Sequence, residues 1–313
     1  MLHPFPLPMP PLRAAAAGAM MALLAVVPSH AQRDFSTVQV EARQLAPNIH
    51  VLFGAGGNIG VSSGPDGVFV IDDQFAELSP RIVAAIRTFS DGPIRFLVNT
   101  HWHYDHTGGN ENFAAQHDTL IFAHDNVRAR LATGLDRGGG QVTPPAPEAA
   151  LPVVTFSETT TFHLNGEAVR AIHVPHAHTD GDALIHFTGS NVIHMGDIFF
   201  NGRYPYIDVQ SGGHVDGVLA AVDKGLELAD ENSRIIPGHG PLADKAALKA
   251  YRAMLADVRN KVAGEIAAGK SLAEIQKAGL TATYDATWDA PDAFVHGDRL
   301  VASIHASLTA PAE

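Results

Sequence analysis

Residues 94–106, IRFLVNTHWHYDH, run an apolar strand straight into four ionisable side chains within six positions: His101, His103, Asp105 and His106. IRFLVNT (94–100) has the near-continuous apolar pattern of a strand covered on both faces. A chain that buries this strand must therefore bring the cluster to the edge of its core. In extended backbone, side chains at i and i+2 point the same way, so His101 and His103 converge. Asp105 and His106, just past the strand's end, can turn toward a neighbouring point. Imidazole nitrogen and carboxylate oxygen are donors that zinc accepts, and the chain has no cysteine to offer a thiolate. Trp102 and Tyr104 alternate with the histidines and are expected to point away, Trp102 into the core.

Three more apolar strands end in candidate ligands. HVPHAHTDGD (173–182) follows a strand with His173, His176 and His178, IHMGDIFF (193–200) ends one at Asp197, and IIPGHGPL (235–242) ends one at His239. Each alone reads as well as a turn residue. Together with the first cluster they describe a place where side chains from separate strands meet. His173 is expected to be a strand residue and His176 to face solvent or support a ligand. Asp72, closing GVFVIDD, either orients a ligand histidine by accepting its second N–H or simply ends a turn. The first cluster alone leaves structural metal binding open, because hydrolysis needs further ligands and an open position.

Around these sites, short glycine-punctuated β-rich runs (NIHVLFG, GNIGVSSG, GVFVIDD) predict an antiparallel meander. SPRIVAAIRTFS (79–90) predicts a helix with Ser79 as N-cap and Pro80 at the first helical position. A helix is expected from about Gly109, then a strand and helix over LIFAHDNVRARLAT (120–133). Residues 134–152, rich in glycine and proline, read as loop, with 134–148 either a flap or a connector. Strands are expected near 153–156, 159–164, 168–174, 183–188, 192–195 and 234–237, and helices at 214–229, 242–266 and 271–279. Strands followed by helices, twice over, predict two mixed sheets packed together with helices outside.

HWHYDH, HAHTDGD, GDIFF and PGHGP, in this order through most of the chain, resemble the metallo-β-lactamase superfamily. The resemblance implies an α/β fold, a four-layer αββα sandwich of two mixed β-sheets with helices on the outer faces. It implies two Zn2+ ions, His101, His103 and His178 on one, Asp105, His106 and His239 on the other, and Asp197 bridging both. It also implies a hydrolase in which a hydroxide held between the ions attacks the carbonyl of a cyclic amide or ester, Asp105 helping to orient it and move the proton. A β-lactam is the leading substrate. The alternatives are a lactone, thioester or phosphoester hydrolase with incidental β-lactamase activity, and a periplasmic zinc-binding protein without turnover.

The sequence departs from the class B1 β-lactamases, which have a cysteine where Asp197 stands and a lysine where Phe200 stands. Class B3 enzymes share the HxHxDH run but lack the bridging aspartate. Arg203, in NGRYPYID, is a candidate replacement for the lysine in substrate binding, with Tyr204 and Tyr206 lining the pocket; a surface arginine beside packed tyrosines is the alternative. The net charge of −12 disfavours nucleic acid as a partner and leaves a small-molecule substrate. Arg13, the apolar run at 14–27 and SHA ending at Ala31 read as a cleaved secretory signal over residues 1–31. The hydrolase domain then spans 32–313, periplasmic or secreted, with no membrane attachment after cleavage. The apolar run is too short to favour a membrane anchor.

Overall fold

The computed structural model describes Met1 and residues 34–310, so the signal at 1–31 lies outside the described residues apart from Met1. The chain divides into Met1–Asp34 and Phe35–Glu313, and the second unit carries the fold. Its strands are β1 (Glu41–Ala46), β2 (Ile49–Phe53), β3 (Ile59–Gly64), β4 (Gly67–Ile71), β5 (Ile94–Val98), β6 (Leu120–His124), β7 (Leu135–Asp136), β8 (Val142–Thr143), β9 (Val154–Phe156), β10 (Thr159–Leu164), β11 (Glu167–His173), β12 (Ala183–Phe187), β13 (Val192–His194) and β14 (Arg234–Ile236). Its helices are α1 (Ser79–Ile86), α2 (Tyr104–Thr107), α3 (Asn110–His117), α4 (Asp125–Thr133), α5 (Val215–Leu228), α6 (Lys245–Ala267), α7 (Leu272–Lys277), α8 (Asp285–Trp288) and α9 (Gly297–Thr309).

Both large sheets are mixed. The first has the order β1-β2-β3-β4-β5-β6-β9, antiparallel through β4 and parallel from β4 to β9. The second runs β10-β11-β12-β13-β14, with only β13 and β14 parallel. Period-two alternation sorts their residues into layers. Phe69 and Ile71 of β4 meet Val169, Ala171, Ile185 and Ile236 of the other sheet in a central core. Val68 and Val70 face the opposite way, onto Leu78, Ile82, Ile86 and Phe113 of the helical layer over the first sheet. Leu184, Ile193 and Ile235 turn outward onto α5, α6 and α9. The inner strands lie between a sheet and a helical layer, which accounts for apolar residues on both faces of β5 apart from the exposed Arg95.

Two local expectations shift. A 3-10 turn at Ala76–Leu78 runs directly into α1, so Ser79 lies inside the helix instead of capping it. Within the expected loop at 134–152, β7 and β8 pair as a short hairpin. Among the described residues no helix is long and apolar enough to cross a membrane.

Candidate metal centre

The cluster gathers where strands stop. His101 and His103 follow β5, and Asp105 and His106 sit on the single turn of α2. His178 lies between β11 and β12, Asp197 in a 3-10 turn after β13, and His239 beyond β14. The structure brings all seven sequence-predicted residues together in two groups. His101, His103, His178 and Asp197 form one; Asp105, His106 and His239 form the other; within each, one donor atom per residue lies within 4.8 Å of the rest.

Asp197 faces both groups. Its Oδ2 lies 3.8 Å from His101 Nε2 and 3.7 Å from His178 Nε2. Its Oδ1 lies 3.1 Å from His106 Nε2 and 3.4 Å from His239 Nε2. Asp105 Oδ2 is 3.3 Å from His239 Nε2. Glycines permit this crowding: a Cβ on Gly238 would stand 2.1 Å from Asp197 Oδ1, and one on Gly57 2.0 Å from the His106 ring.

Hydrogen bonds on the far side of each ring set which nitrogen faces inward. His101 Nδ1 donates to Thr100 Oγ1 (3.0 Å), which itself donates to Asp72 Oδ2 (2.7 Å). His106 Nδ1 donates to the same Asp72 oxygen at 2.8 Å, so Asp72 occupies the orienting position. His178 Nδ1 donates to the Tyr206 carbonyl at 2.7 Å, and His103 Nε2 to Asp208 Oδ2 at 2.8 Å. His101, His106 and His178 therefore present Nε2, and His103 presents Nδ1.

These inward atoms fit a cation. His178 Nε2 and His103 Nδ1 approach to 2.8 Å, although the outer hydrogen bonds leave a lone pair on each. His101 Nε2 is buried without a hydrogen-bond partner. Burial, then the charge of His106, hold the His101 imidazole well below its ordinary pKa; burial, then His103, push His178 down to about 4. Both rings are thus neutral donors, as a metal requires. In the second group burial opposes the charge, but Asp197 chiefly drives His106 and His239 upward, His239 to about 9. The carboxylates there call for positive charge.

Sequence reasoning missed Asp208. Its buried carboxylate also accepts both Arg137 guanidinium nitrogens at 2.8 Å and Ser211 Oγ at 2.6 Å. Arg137 sits between β7 and β8, so the hairpin is tied through Asp208 to His103. The only sequence signal was a carboxylate two residues beyond Tyr206. Among the weaker expectations, Trp102 packs with Ala123, Val127, Leu131 and Leu151. His176 is exposed, and His173 stacks on His124 at 3.6 Å.

The structure engages the expected substrate pair with other protein groups. Tyr204 is 1% exposed and its hydroxyl donates to Asp285 at 2.7 Å, which leaves it unavailable to a ligand. The Arg203 guanidinium is paired with Asp292 at 3.0 Å. The backbone bond from Tyr204 N to Trp288 O ties this stretch to α8. Tyr206 is the residue at the cluster, its ring 5.9 Å from that of His103 and 5.8 Å from that of His178.

Residues 55–239 match the family model described as the metallo-beta-lactamase superfamily. Over 145 residues the chain is 30% identical to a hydroxyacylglutathione hydrolase of Nitrosococcus oceani, across 46% of this chain and 47% of that protein. The chain thus spans about half the length of the curated hydroxyacylglutathione hydrolases it matches. A metallo-beta-lactamase from Pontibacter korlensis superposes with a TM-score of 0.58 at 18% identity, covering 70% of this chain and 100% of that one. The stereoselective inverting sec-alkylsulfatase Pisa1 from Pseudomonas sp. gives 0.66 at 16% identity, covering 85% and 50%. At such identities these likenesses show the fold.

Proposed function

Since the chain belongs to the metallo-beta-lactamase superfamily, we propose that it is a metal-dependent hydrolase, a dinuclear zinc enzyme cleaving a cyclic amide or ester, with β-lactams as the leading substrates. The observation that carries this reading is Asp197, whose two oxygens face two separate groups of imidazoles. A purely structural zinc site needs neither a shared carboxylate nor a second group. His101, His103, His178 and Asp197 would hold one ion, and Asp105, His106, His239 and Asp197 the other. A bound pair of zinc ions supplies a nucleophile at neutral pH and positive charge for the developing oxyanion.

The remaining work falls to the chain. Thr100, Asp72, Asp208 and the Tyr206 carbonyl hold four imidazoles in one tautomer, so no ring reorients during turnover. Asp197 is enclosed, whereas the Asp105 side chain is 30% exposed. Burial disfavours its charge, but His106 and the hydrogen bond from His239 hold it well below the usual carboxylate range. Asp105 is therefore a charged acceptor, placed to orient the nucleophile and pass its proton to the leaving group. Phe200 stacks on His239, the ring centres 5.3 Å apart.

Thioester hydrolysis is the second reading, favoured by the hydroxyacylglutathione hydrolases among the curated relatives. Against it stands the signal over 1–31, which would make this an exported enzyme. An acidic exported protein acting on a small molecule, without nucleic acid or membrane attachment, remains our reading of its setting.

The test pairs the zinc-loaded wild-type protein with Asp105→Asn on a chromogenic cephalosporin, a lactone and a thioester, each with and without chelator. Wild type should hydrolyse at least one at a chelator-sensitive kcat/KM of about 10⁴ M⁻¹s⁻¹ or more. Asp105→Asn should lower that rate by about 10²–10⁴-fold and reduce zinc content far less. Thioester turnover well above that of the cephalosporin would select the second reading. No turnover of any, with zinc still bound, would leave a zinc-binding protein.

A further inference from the structure

Phe294 and Arg299, which follow the matched residues 55–239, pack against the ring of Tyr206. Phe294 meets the Tyr206 ring edge-on at 5.5 Å and is 64% exposed. The Arg299 guanidinium lies 3.8 Å from the centre of the Phe294 ring and 5.3 Å from that of Tyr206. It donates to the Phe294 carbonyl at 3.1 Å. Among the described residues no carboxylate pairs with the Arg299 guanidinium, whereas Arg137 is paired with Asp208 and Arg203 with Asp292.

A guanidinium has five donors in a planar fork suited to a carboxylate, and stacking on an aromatic face pre-sets its plane. Here most of those donors have no protein partner, while the ring it rests on leaves apolar surface open. The net charge of −12 repels anions from the surface at large. A free cation touching the ring that borders His103 and His178 changes that locally.

We propose that Arg299 is an anion anchor at the mouth of the cluster, and that the substrate carries a carboxylate beside an apolar or aromatic group. The carboxylate pairs with the Arg299 fork, the apolar part covers Phe294 and Tyr206, and the reacting carbonyl is directed toward the cluster. This rests on the hydrolase reading above. It adds a substrate requirement set chiefly by Phe294 and Arg299, which lie outside the family-matched span.

The experiment compares zinc-loaded wild type, Arg299→Glu and Arg299→Lys on a chromogenic cephalosporin and its neutral methyl ester. Arg299→Glu should raise KM for the free acid about tenfold or more, leave kcat within about twofold, and leave the methyl ester unchanged. Arg299→Lys should restore part of the loss. Residue 299 is at the third position of α9, where glutamate suits the helix dipole, so unfolding temperature should hold. In parallel, saturation-transfer NMR measures binding of phenylacetate and phenylacetamide to the same proteins. Phenylacetate should bind Arg299→Glu about tenfold more weakly than wild type, with phenylacetamide unaffected. The binding arm decides the matter even if neither cephalosporin is hydrolysed, so failure of the hydrolase reading is separable from failure of the anchor. Equal losses for charged and neutral compounds, or no change in phenylacetate binding, would overturn the proposal.

Discussion

Asp197→Asn is expected to lower bound zinc from about two ions per chain to one or fewer. Turnover should fall by more than about 10²-fold, since removing even a partner that merely orients a ligand costs 10–100-fold. The carboxylate is 5% exposed and lies between both groups, so an amide at this place keeps the shape and loses the charge that the two groups share. Without metal, Asp197 is also the leading charge that drives His106 and His239 upward. The variant should therefore be weakened at both groups, not at one. Elemental analysis beside kcat/KM checks this. Two zinc ions retained with full activity would remove Asp197 from the site.

Asp208→Ala should have the next largest effect. It takes the acceptor from His103 Nε2, freeing that ring to turn or change tautomer, and should weaken zinc binding by about 10–100-fold. It also strands the Arg137 guanidinium. Breaking a fully buried pair costs about 3–5 kcal/mol. Arg137 keeps 18% of its side chain exposed on a short hairpin and can swing to water, so a loss nearer about 1–2 kcal/mol is expected. Arg137→Ala tests the division of labour. It should cost less zinc affinity than Asp208→Ala, and the double variant should fall short of the sum, because the two share one network. Zinc affinity equal to wild type in Asp208→Ala would mean that His103 is held by its backbone alone.

Much of this site was legible because it depends on short-range order. The buried strand running into HWHYDH marked the first cluster, although β5 stops at Val98 and His101 and His103 sit on the irregular stretch between it and α2. The strand ends before His178, Asp197 and His239 marked the others, and the family resemblance divided them into two groups. Two sheets with helices outside were legible from the order of elements, strands followed by helices twice over, and the resemblance implied the four layers; β4, β12 and β13 then send one face to the central core and the other to a helical layer. What escaped lies between elements distant in sequence. His103 and Asp208 are 105 positions apart, and nothing local in YID marks that aspartate as a partner. Tyr204 and Tyr206 look equivalent in sequence, yet the bond to Trp288 commits the first to the core. The β7–β8 hairpin has two-residue strands, too short to carry a periodic signal. Phe294 and Arg299 gain meaning only through the ring of Tyr206.

A zinc titration distinguishes a two-metal hydrolytic site from every alternative. Zinc is added stepwise to metal-stripped protein while hydrolysis of the cephalosporin and the thioester is followed and bound zinc is counted. A dinuclear site predicts turnover that is absent at the start, grows with loading and levels off at about two zinc ions per chain. Full turnover in the stripped protein, or none at any loading, would contradict it.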